Sequence, residues 1–385
     1  MPHDAQAWFL HEGTEGEPEG LAELRLESWS LPDPGPGEVL TEPLYGSWEG
    51  NYHHALTRTP VDICRQRGEP RVIVGNGGVV RVLAVGEGVT TLRPGQTAMM
   101  FSAGVTDRFG YLLRVFAYDA PGTMGCMSTR MLMAANNLLP LPERSRHSLA
   151  QWAAFSVRYV TAWSNWELAL GTFRLQIGVD ELPAPHVWGW GGGTTLAELD
   201  LARRQGCQCV MISGDPERLA RIAALGITPL DRRGFSAVTD EPGAYPSPEA
   251  WKAARKAAER RFLAEVEART AGEQVQIFLD YIGTPVLETT LKALGRCGVL
   301  ATAGWKQGME TRYRRASECI QRHQHIHTHF ARRAQALAAM AHGEAEGWMP
   351  TLDQPIVPFT EIPLLARRFA DNRAGFFPVF AINPE

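Results

Sequence analysis

The segment 185–226, PHVWGWGGGTTLAELDLARRQGCQCVMISGDPERLARIAALG, decides the fold of this chain. A short apolar strand, His186–Trp188, enters a glycine cluster, and a helix and a second apolar run, Cys209–Ile212, follow it. This order is typical of the βαβ unit that binds a dinucleotide. Glycines let the backbone approach a pyrophosphate, and the helix N-terminus offers free N–H groups. The segment predicts a nicotinamide-cofactor site, against the alternative of a tight turn with no ligand.

The candidate cofactor-binding residues of the turn are Gly189, Gly192, Gly193, Thr194 and Thr195. Thr195 stands where the dinucleotide fingerprint has its third glycine, which lets the helix pack closely on the strand. We expect the Cβ and hydroxyl of Thr195 to push the helix outward or to narrow the pyrophosphate seat.

The end of the second strand indicates which cofactor is bound. An acid there would bind the ribose 2′-OH of NAD and repel a 2′-phosphate. This chain has Ser213 and Gly214 at that point, with Arg218 in the next helical turn. Because a guanidinium forms charge-assisted, bidentate hydrogen bonds with phosphate, Ser213 and Arg218 predict NADPH. Asp215 is expected to cap the helix that Pro216 begins. A solvated helix face is the alternative for Arg218.

Composition excludes several classes of protein. The 385 residues are enough for two domains, and 44% apolar and 21% charged residues are ordinary for a globular protein. A net charge of −4 argues against binding to nucleic acid or membrane surfaces. No apolar run reaches the roughly 18 residues that span a bilayer, and the N-terminus does not resemble a signal peptide. The six cysteines form no CxxC pair. We expect a cytoplasmic protein without disulfides.

Two kinds of pattern divide the chain. The first 150 residues are rich in alternating strands and Gly/Pro turns. After the glycine turn, a second strand–helix–strand pattern follows, with strand 276–280, helix 285–294 and strand 298–303. Such alternation predicts an α/β fold with a parallel sheet covered by helices.

Several short strings resemble the medium-chain dehydrogenase/reductase superfamily, and the resemblance covers nearly the whole chain. General superfamily features are RVLAVGEGVTTLRPGQ at 81–96, Thr161-Ala162 and the glycine turn. Within the superfamily, the chain is most similar to the crotonyl-CoA carboxylase/reductase branch. The strings that carry this similarity are VWGWGGG at 187–193, ISGD at 212–215, Tyr118-Asp119 and His329-Phe330-Ala331.

The resemblance implies a GroES-like, β-rich catalytic domain over residues 1–158, completed by a C-terminal return over 335–385. A Rossmann cofactor-binding domain would occupy residues 159–334. The resemblance also adds Thr161 and Gly304 to the cofactor-binding candidates. It implies a homodimer or a homotetramer.

Metal ligands are missing where the superfamily places them. Its members with catalytic zinc carry a Cys near residue 48 and Gly-His-Glu near residues 75–77. Here the chain has Trp48 and Gly75-Asn76-Gly77. Since zinc needs three or four closely placed Cys, His or acidic ligands, the sequence predicts a zinc-independent protein with no metal.

Four histidines at a spacing of two (His323, His325, His327 and His329) would share one face of a strand. Clustered imidazoles suit a metal, but collinear neighbours do not close around one ion, and an exposed edge strand is the alternative. His329 matches the branch's histidine, which holds a water at the active site. A structural, hydrogen-bonded histidine is the other interpretation.

The candidate catalytic residues are Tyr118, Asp119, His329 and Glu49. Tyr118 or Asp119 would donate a proton, unless the pair only forms a turn before Pro121. Within the resemblance, the residue that grips carbon dioxide aligns near Trp48 or Asn51. A tryptophan there would shrink that pocket and favour plain reduction.

These features predict an NADPH-dependent oxidoreductase that reduces an α,β-unsaturated (enoyl) thioester by hydride transfer to Cβ, with or without reductive carboxylation. The thioester would be a small molecule or carrier-bound. One alternative is a zinc-independent reductase or dehydrogenase of another carbonyl, quinone or imine. Another is a non-catalytic scaffold that kept the fold.

Overall fold

The computed structural model describes residues 3–384 apart from 15, 17–19, 305–306 and 309–311. The chain divides into two units, one formed by residues 1–160 with 331–385 and the other by residues 161–330. Each unit has its own sheets and its own apolar core.

The described strands are, in chain order, β1 His3–His11, β2 Arg25–Leu31, β3 Glu38–Ser47, β4 Arg71–Val72, β5 Gly78–Val85, β6 Thr97–Met100, β7 Ala103–Thr106, β8 Leu112–Val115, β9 Met131–Ala134, β10 Leu138–Pro140, β11 His186–Trp190, β12 Gln208–Ser213, β13 Thr228–Asp231, β14 Val275–Asp280, β15 Leu294–Thr302, β16 His325–Thr328, β17 Val357–Pro358 and β18 Val379–Ala381. The described α-helices are α1 Gly50–Thr57, α2 Ile63–Arg67, α3 Leu149–Arg174, α4 Gly193–Arg204, α5 Pro216–Ala224, α6 Pro248–Arg269, α7 Thr284–Ala293, α8 Arg333–Glu346 and α9 Ile362–Ala370.

Residues 161–330 form a six-stranded parallel sheet in the order β13-β12-β11-β14-β15-β16. Counted within the unit, this is the order 3-2-1-4-5-6 of the dinucleotide-binding fold. Trp190 pairs with Ile212 on one side and with Asp280 on the other. The carboxyl ends of β11, β12 and β14 therefore lie together at the point where the strand order reverses.

Apolar side chains explain why this sheet is covered on both faces. Every residue of β11 and β14 is buried, as expected for central strands of a parallel sheet. Trp190 stacks on Phe278 at a centroid distance of 5.6 Å and packs against Phe262 of α6 at 4.9 Å. These large rings fix α6 against the strands.

Residues 1–160 and 331–385 form a second, mostly antiparallel system. Its main sheet has the order β10-β6-β5-β3-β18-β17, with β9 also paired to β3. A three-stranded sheet β2-β1-β4 and the hairpin β7-β8 complete the strands. Strand β18 comes from the C-terminal segment and pairs with β3, where Phe380 faces Gly46. The C-terminal segment therefore completes the main sheet, to which β3 belongs.

The α/β class, with a parallel Rossmann-type sheet and a separate antiparallel β unit, is confirmed. Strand β11 is longer than predicted, since Gly189 and Trp190 continue its pairing before the turn. The predicted helix cap is present, since Asp215 accepts from the N–H of Arg218 at 3.0 Å, and Ser247 caps α6 by accepting from the N–H of Ala250 at 3.2 Å. All six cysteines are free, and no described helix is long and apolar enough to cross a membrane.

Candidate functional site

The glycine turn sits between β11 and α4, at the reversal point of the parallel sheet. Gly191 has a φ of 150°, a conformation that side chains disfavour. The first intrahelical bond runs from Leu196 N–H to Gly192 O at 3.1 Å. The N–H groups of Gly193, Thr194 and Thr195 therefore lie in the first turn, where no carbonyl of the helix can accept their hydrogen bonds. A Cβ on Gly192 would meet no atom within 4 Å, so there is open space for a ligand beside the turn.

Thr195 fits this turn differently from what we expected. Its side chain is fully buried, and its hydroxyl donates to the carbonyl of Trp190 at 3.2 Å. A Cβ on Gly189 would lie 2.5 Å from the Thr195 γ-methyl group. Gly189 has no side chain and therefore leaves room for the γ-methyl group of Thr195. A glycine at position 195, as in the usual fingerprint, would have no such methyl group. The threonine packs inward, against the strand.

The tip of β12 carries the predicted Ser213 and Arg218. Ser213 is buried, and its hydroxyl accepts from the N–H of Asp215 at 3.3 Å. The Asp215 carboxylate accepts from the Arg218 N–H and so caps α5. Asp215 therefore caps α5, as predicted, two residues past the end of β12.

Arg232 is a second cation at this tip, which the sequence analysis missed. A Cβ on Gly214 would lie 2.9 Å from Arg232 Nε, so the arginine side chain covers that glycine. Burial lowers the pKa of Arg218, Asp215 opposes this shift, and the positive charge of Arg232 adds to it. Arg218 of α5 and Arg232 therefore both lie near the end of β12, within range of each other's charge. The signal in the sequence was a basic pair directly after the third strand.

The predicted Glu49 lies in the other unit, in a buried polar cluster. Its carboxylate binds the guanidinium of Arg158 at 2.9 Å, and the hydroxyl of Ser47 donates to it. Arg158 also donates to the Ser47 hydroxyl at 2.9 Å and to the Trp48 carbonyl. Burial raises the pKa of Glu49, and Arg158 and Ser47 oppose this shift.

The positions where the superfamily holds zinc contain packed side chains. The Trp48 ring is fully buried and meets Tyr52 edge-on at 5.5 Å. The Tyr52 hydroxyl accepts from the N–H of Gly77 at 3.0 Å. Asn76 is 3% exposed, and its Oδ1 has no partner in the described part of the chain. Among the described residues, no three His, Cys, Asp or Glu side chains are grouped to hold a metal.

Tyr118 and Asp119 lie in a turn after β8. Asp119 Oδ1 accepts from the N–H of Val115 at 2.5 Å, so this carboxylate closes the turn. Arg67 donates to the Tyr118 carbonyl at 3.3 Å. Burial and the charge of Asp119 raise the pKa of the Tyr118 phenol to about 12, which leaves the phenol protonated at neutral pH.

The histidine run is only partly a strand. His325–Thr328 forms β16 at the sheet edge, whereas His323 has a φ of 50° and lies in the preceding turn. Burial lowers the pKa of His327 to about 4, and the neighbouring His329 and His325 add to this shift. His329 itself is 6% exposed and directly follows the strand. The remaining cofactor candidates are Thr161, half-buried on α3, and Gly304, which follows β15.

Comparison with known proteins supports the architecture. No protein-family model and no curated protein matches the chain. Among solved structures, the crotonyl-CoA carboxylase/reductase AntE in complex with NADP is 21% identical with a TM-score of 0.79, over 99% of this chain and 95% of that one. The 2-octenoyl-CoA carboxylase reductase CinF, in complex with NADP and 2-octenoyl-CoA, is 18% identical with a TM-score of 0.81, over 100% and 89%. A thermostable alcohol dehydrogenase from Pyrobaculum aerophilum is 18% identical with a TM-score of 0.72, over 98% and 100%.

The fold is that of the medium-chain dehydrogenases/reductases. The unit formed by residues 161–330 also contains a buried polar triad, which sequence reasoning missed. Glu198 of α4 accepts hydrogen bonds from Asn165 of α3 and from Tyr281, which follows β14. The signal was a pair of acids, Glu198 and Asp200, inside an otherwise apolar helical stretch.

Proposed function

We propose that this chain is an NADPH-dependent oxidoreductase that reduces an α,β-unsaturated thioester. The observation that carries the cofactor assignment is the tip of β12. There, Ser213 ends the strand, Arg232 lies over Gly214, Arg218 stands in the first turn of α5, and Asp215 is engaged as the cap of that helix. Guanidinium groups suit a 2′-phosphate. The AntE and CinF structures are complexes with NADP, which supports the same choice.

The glycine turn fits the pyrophosphate of such a cofactor. The open space beside Gly192 lies next to the first-turn N–H groups of α4, which point toward a bound anion. Gly191 and Gly192 keep the backbone free of side chains there. When bound, NADPH would supply a hydride for addition to Cβ of the substrate.

The substrate class follows from the unit that contains Glu49. Trp48, Asn76 and Gly77 supply no zinc ligand set at the superfamily's metal position, so a carbonyl substrate would lack that activation. An enoyl thioester has an electrophilic Cβ of its own. AntE and CinF are named as carboxylase/reductases of CoA esters, which agrees with this class.

Tyr118 is the proton donor that we favour. Its phenol carries a proton across the neutral range, as any tyrosine does, and burial raises its pKa further, to about 12. Asp119 is committed to the Val115 N–H, and Glu49 to Arg158 and Ser47. We assign Asp119 and Glu49 to holding the local structure, and His329 to orienting a water or the substrate. We also propose that the chain forms a homodimer or homotetramer.

The test is oxidation of NADPH, followed at 340 nm with crotonyl-CoA, with and without bicarbonate, and with NADH in parallel. We expect oxidation with NADPH and much slower oxidation with NADH. A product heavier by carbon dioxide would add carboxylation to the activity. NADPH binding without oxidation would refute the thioester but keep the oxidoreductase, and absence of binding would refute both.

A further inference from the structure

Tyr281 is held from inside its unit by two buried side chains. Its hydroxyl donates to Glu198 Oε2 at 2.7 Å. Asn165 Nδ2 donates to the two Glu198 oxygens at 3.1 and 3.3 Å and to the Tyr281 hydroxyl at 3.0 Å. Glu198 and Asn165 are both 0% exposed. Three separate elements (α3, α4 and the end of β14) therefore fix one hydroxyl group.

The Tyr281 ring lies against two glycines at the carboxyl edge of the parallel sheet. A Cβ on Gly191 would lie 3.3 Å from Tyr281 Cβ, and one on Gly304 would lie 2.9 Å from Tyr281 Cδ1. The Tyr281 N–H donates to the Trp190 carbonyl at 3.3 Å. Tyr281 is nevertheless only half-buried. Its hydroxyl points into the unit, toward Glu198 and Asn165, and the residue as a whole keeps partial exposure at the carboxyl edge of the sheet, where dinucleotides bind.

The position of Tyr281 specifies which half of a dinucleotide would meet it. A dinucleotide crosses the point where strand order reverses, with one mononucleotide on each side. Ser213 and Arg218 lie on the β12 side, where the proposed function places the 2′-phosphate. Tyr281 and Gly304 follow β14 and β15 and so lie on the other side.

Resting on the proposed function, we infer that Tyr281 is the surface on which the nicotinamide end of the cofactor packs, and that Glu198 and Asn165 are the residues that position it. The aromatic ring offers a flat apolar face. The hydrogen bonds of its hydroxyl with Glu198 and Asn165 hold the ring in one orientation and keep it out of the glycine turn. Burying a carboxyl group is energetically unfavourable unless it is hydrogen-bonded. Accordingly, burial raises the pKa of Glu198 to about 8. Its hydrogen bonds to Tyr281 and Asn165 are the contacts that offset this cost.

The test compares two probes by calorimetry: NADPH, and 2′,5′-ADP, which carries the adenosine half and the 2′-phosphate but no nicotinamide. We expect Tyr281→Ala to weaken NADPH binding at least about tenfold. Binding of 2′,5′-ADP should stay within about twofold of the wild type, since no anchor of that half is removed. Retained binding of 2′,5′-ADP also shows that the variant is folded.

The positioning role is tested with Glu198→Ala and Glu198→Gln. The alanine variant leaves the Tyr281 hydroxyl without its acceptor and should weaken NADPH selectively, whereas the glutamine amide oxygen can accept the same bond and should restore most of the affinity. Thr290→Val is the matched control, since it removes another buried bond of this unit, from Trp190 Nε1 to Thr290 Oγ1 at 2.8 Å. It should leave the ratio of the two affinities unchanged.

Different results would contradict the inference about Tyr281 and the proposed function. Equal weakening of both probes by Tyr281→Ala, or no weakening of NADPH, overturns the inference while the proposed cofactor stands. A wild-type protein that binds neither probe overturns both.

Discussion

The guanidinium of Arg158 lies 2.9 Å from the carboxylate of Glu49, and both side chains are buried. The pair stands beside Trp48, where zinc-dependent members of this fold are expected to bind their metal. A buried cation and a buried anion compensate each other there, together with the hydroxyl of Ser47. Each charge depends on its partner, because an isolated buried charge is strongly unfavourable.

Replacing only one member of this pair should strongly destabilise the folded protein. We expect Arg158→Met to lower the free energy of unfolding by about 3–5 kcal/mol, since it leaves Glu49 buried and without its cation. The double variant Glu49→Met with Arg158→Met should be clearly more stable than Arg158→Met alone. Urea denaturation followed by circular dichroism measures both. A double variant less stable than the single one would contradict a compensating ion pair.

The cofactor preference should depend on the arginines beside Ser213. Arg218→Ala and Arg232→Ala should each weaken NADPH about 10- to 100-fold, because hydrogen bonds to charged groups contribute about 1.5–3 kcal/mol. NADH has no 2′-phosphate, so its binding should change little. Arg233→Ala is the control, since Arg233 is paired with Asp231 at 2.9 Å. Fluorescence titration with both nucleotides measures the change. Equal losses for NADPH and NADH would exclude a 2′-phosphate contact.

The contact of Thr195 with the strand can be tested by a compensating substitution. Gly189→Ala places a methyl group 2.5 Å from the Thr195 γ-methyl, and overpacking of this kind costs about 1–3 kcal/mol. Adding Thr195→Ser removes the opposing methyl but keeps a hydroxyl for the Trp190 carbonyl. Thermal unfolding should therefore show that the double variant is more stable than Gly189→Ala alone. Additive losses would mean that the two residues do not meet.

If Tyr118 donates the proton, Tyr118→Phe should lower kcat about 100-fold or more with crotonyl-CoA, a typical contribution of general acid catalysis. The KM for NADPH should change little. Asp119→Asn keeps an acceptor for the Val115 N–H and should lower kcat much less. A full-rate Tyr118→Phe enzyme would transfer the role of donor to another group.

The pH dependence of stability should reveal Glu198. Burial raises its pKa from the ordinary 4.5 to about 8, so between these values the folded protein holds a proton that the unfolded chain has released. The stabilisation is present below about pH 4.5 and is lost as the pH rises through about 8, with a slope of at most about 1.4 kcal/mol per pH unit. Relative to Glu198→Gln, the wild type should lose stability over this window. Parallel curves for the two proteins would contradict a protonated Glu198.

The fold could be predicted from the sequence because its signals are local. The apolar runs, the glycine cluster and the helix caps Asp215 and Ser247 each lie within a few residues of the structure they determine. The proposed preference for a 2′-phosphate also comes from the sequence, since the strand tip carries Ser213 in place of an acid. How Thr195 is accommodated could not be predicted, because its fit depends on Gly189 in the adjoining strand, a packing detail that a fingerprint does not contain.

The sequence by itself determined the βαβ unit and the division into strand-rich and alternating parts. Only the tertiary structure decided which distant residues meet. Arg158 and Glu49 are 109 positions apart, and Tyr281 and Glu198 are 83 apart. Hydrophobic periodicity and secondary-structure propensity depend on residues that are close together in the sequence. A buried ion pair or triad depends instead on how strand ends align and which helices cover them, and that alignment exists only once the sheet has formed.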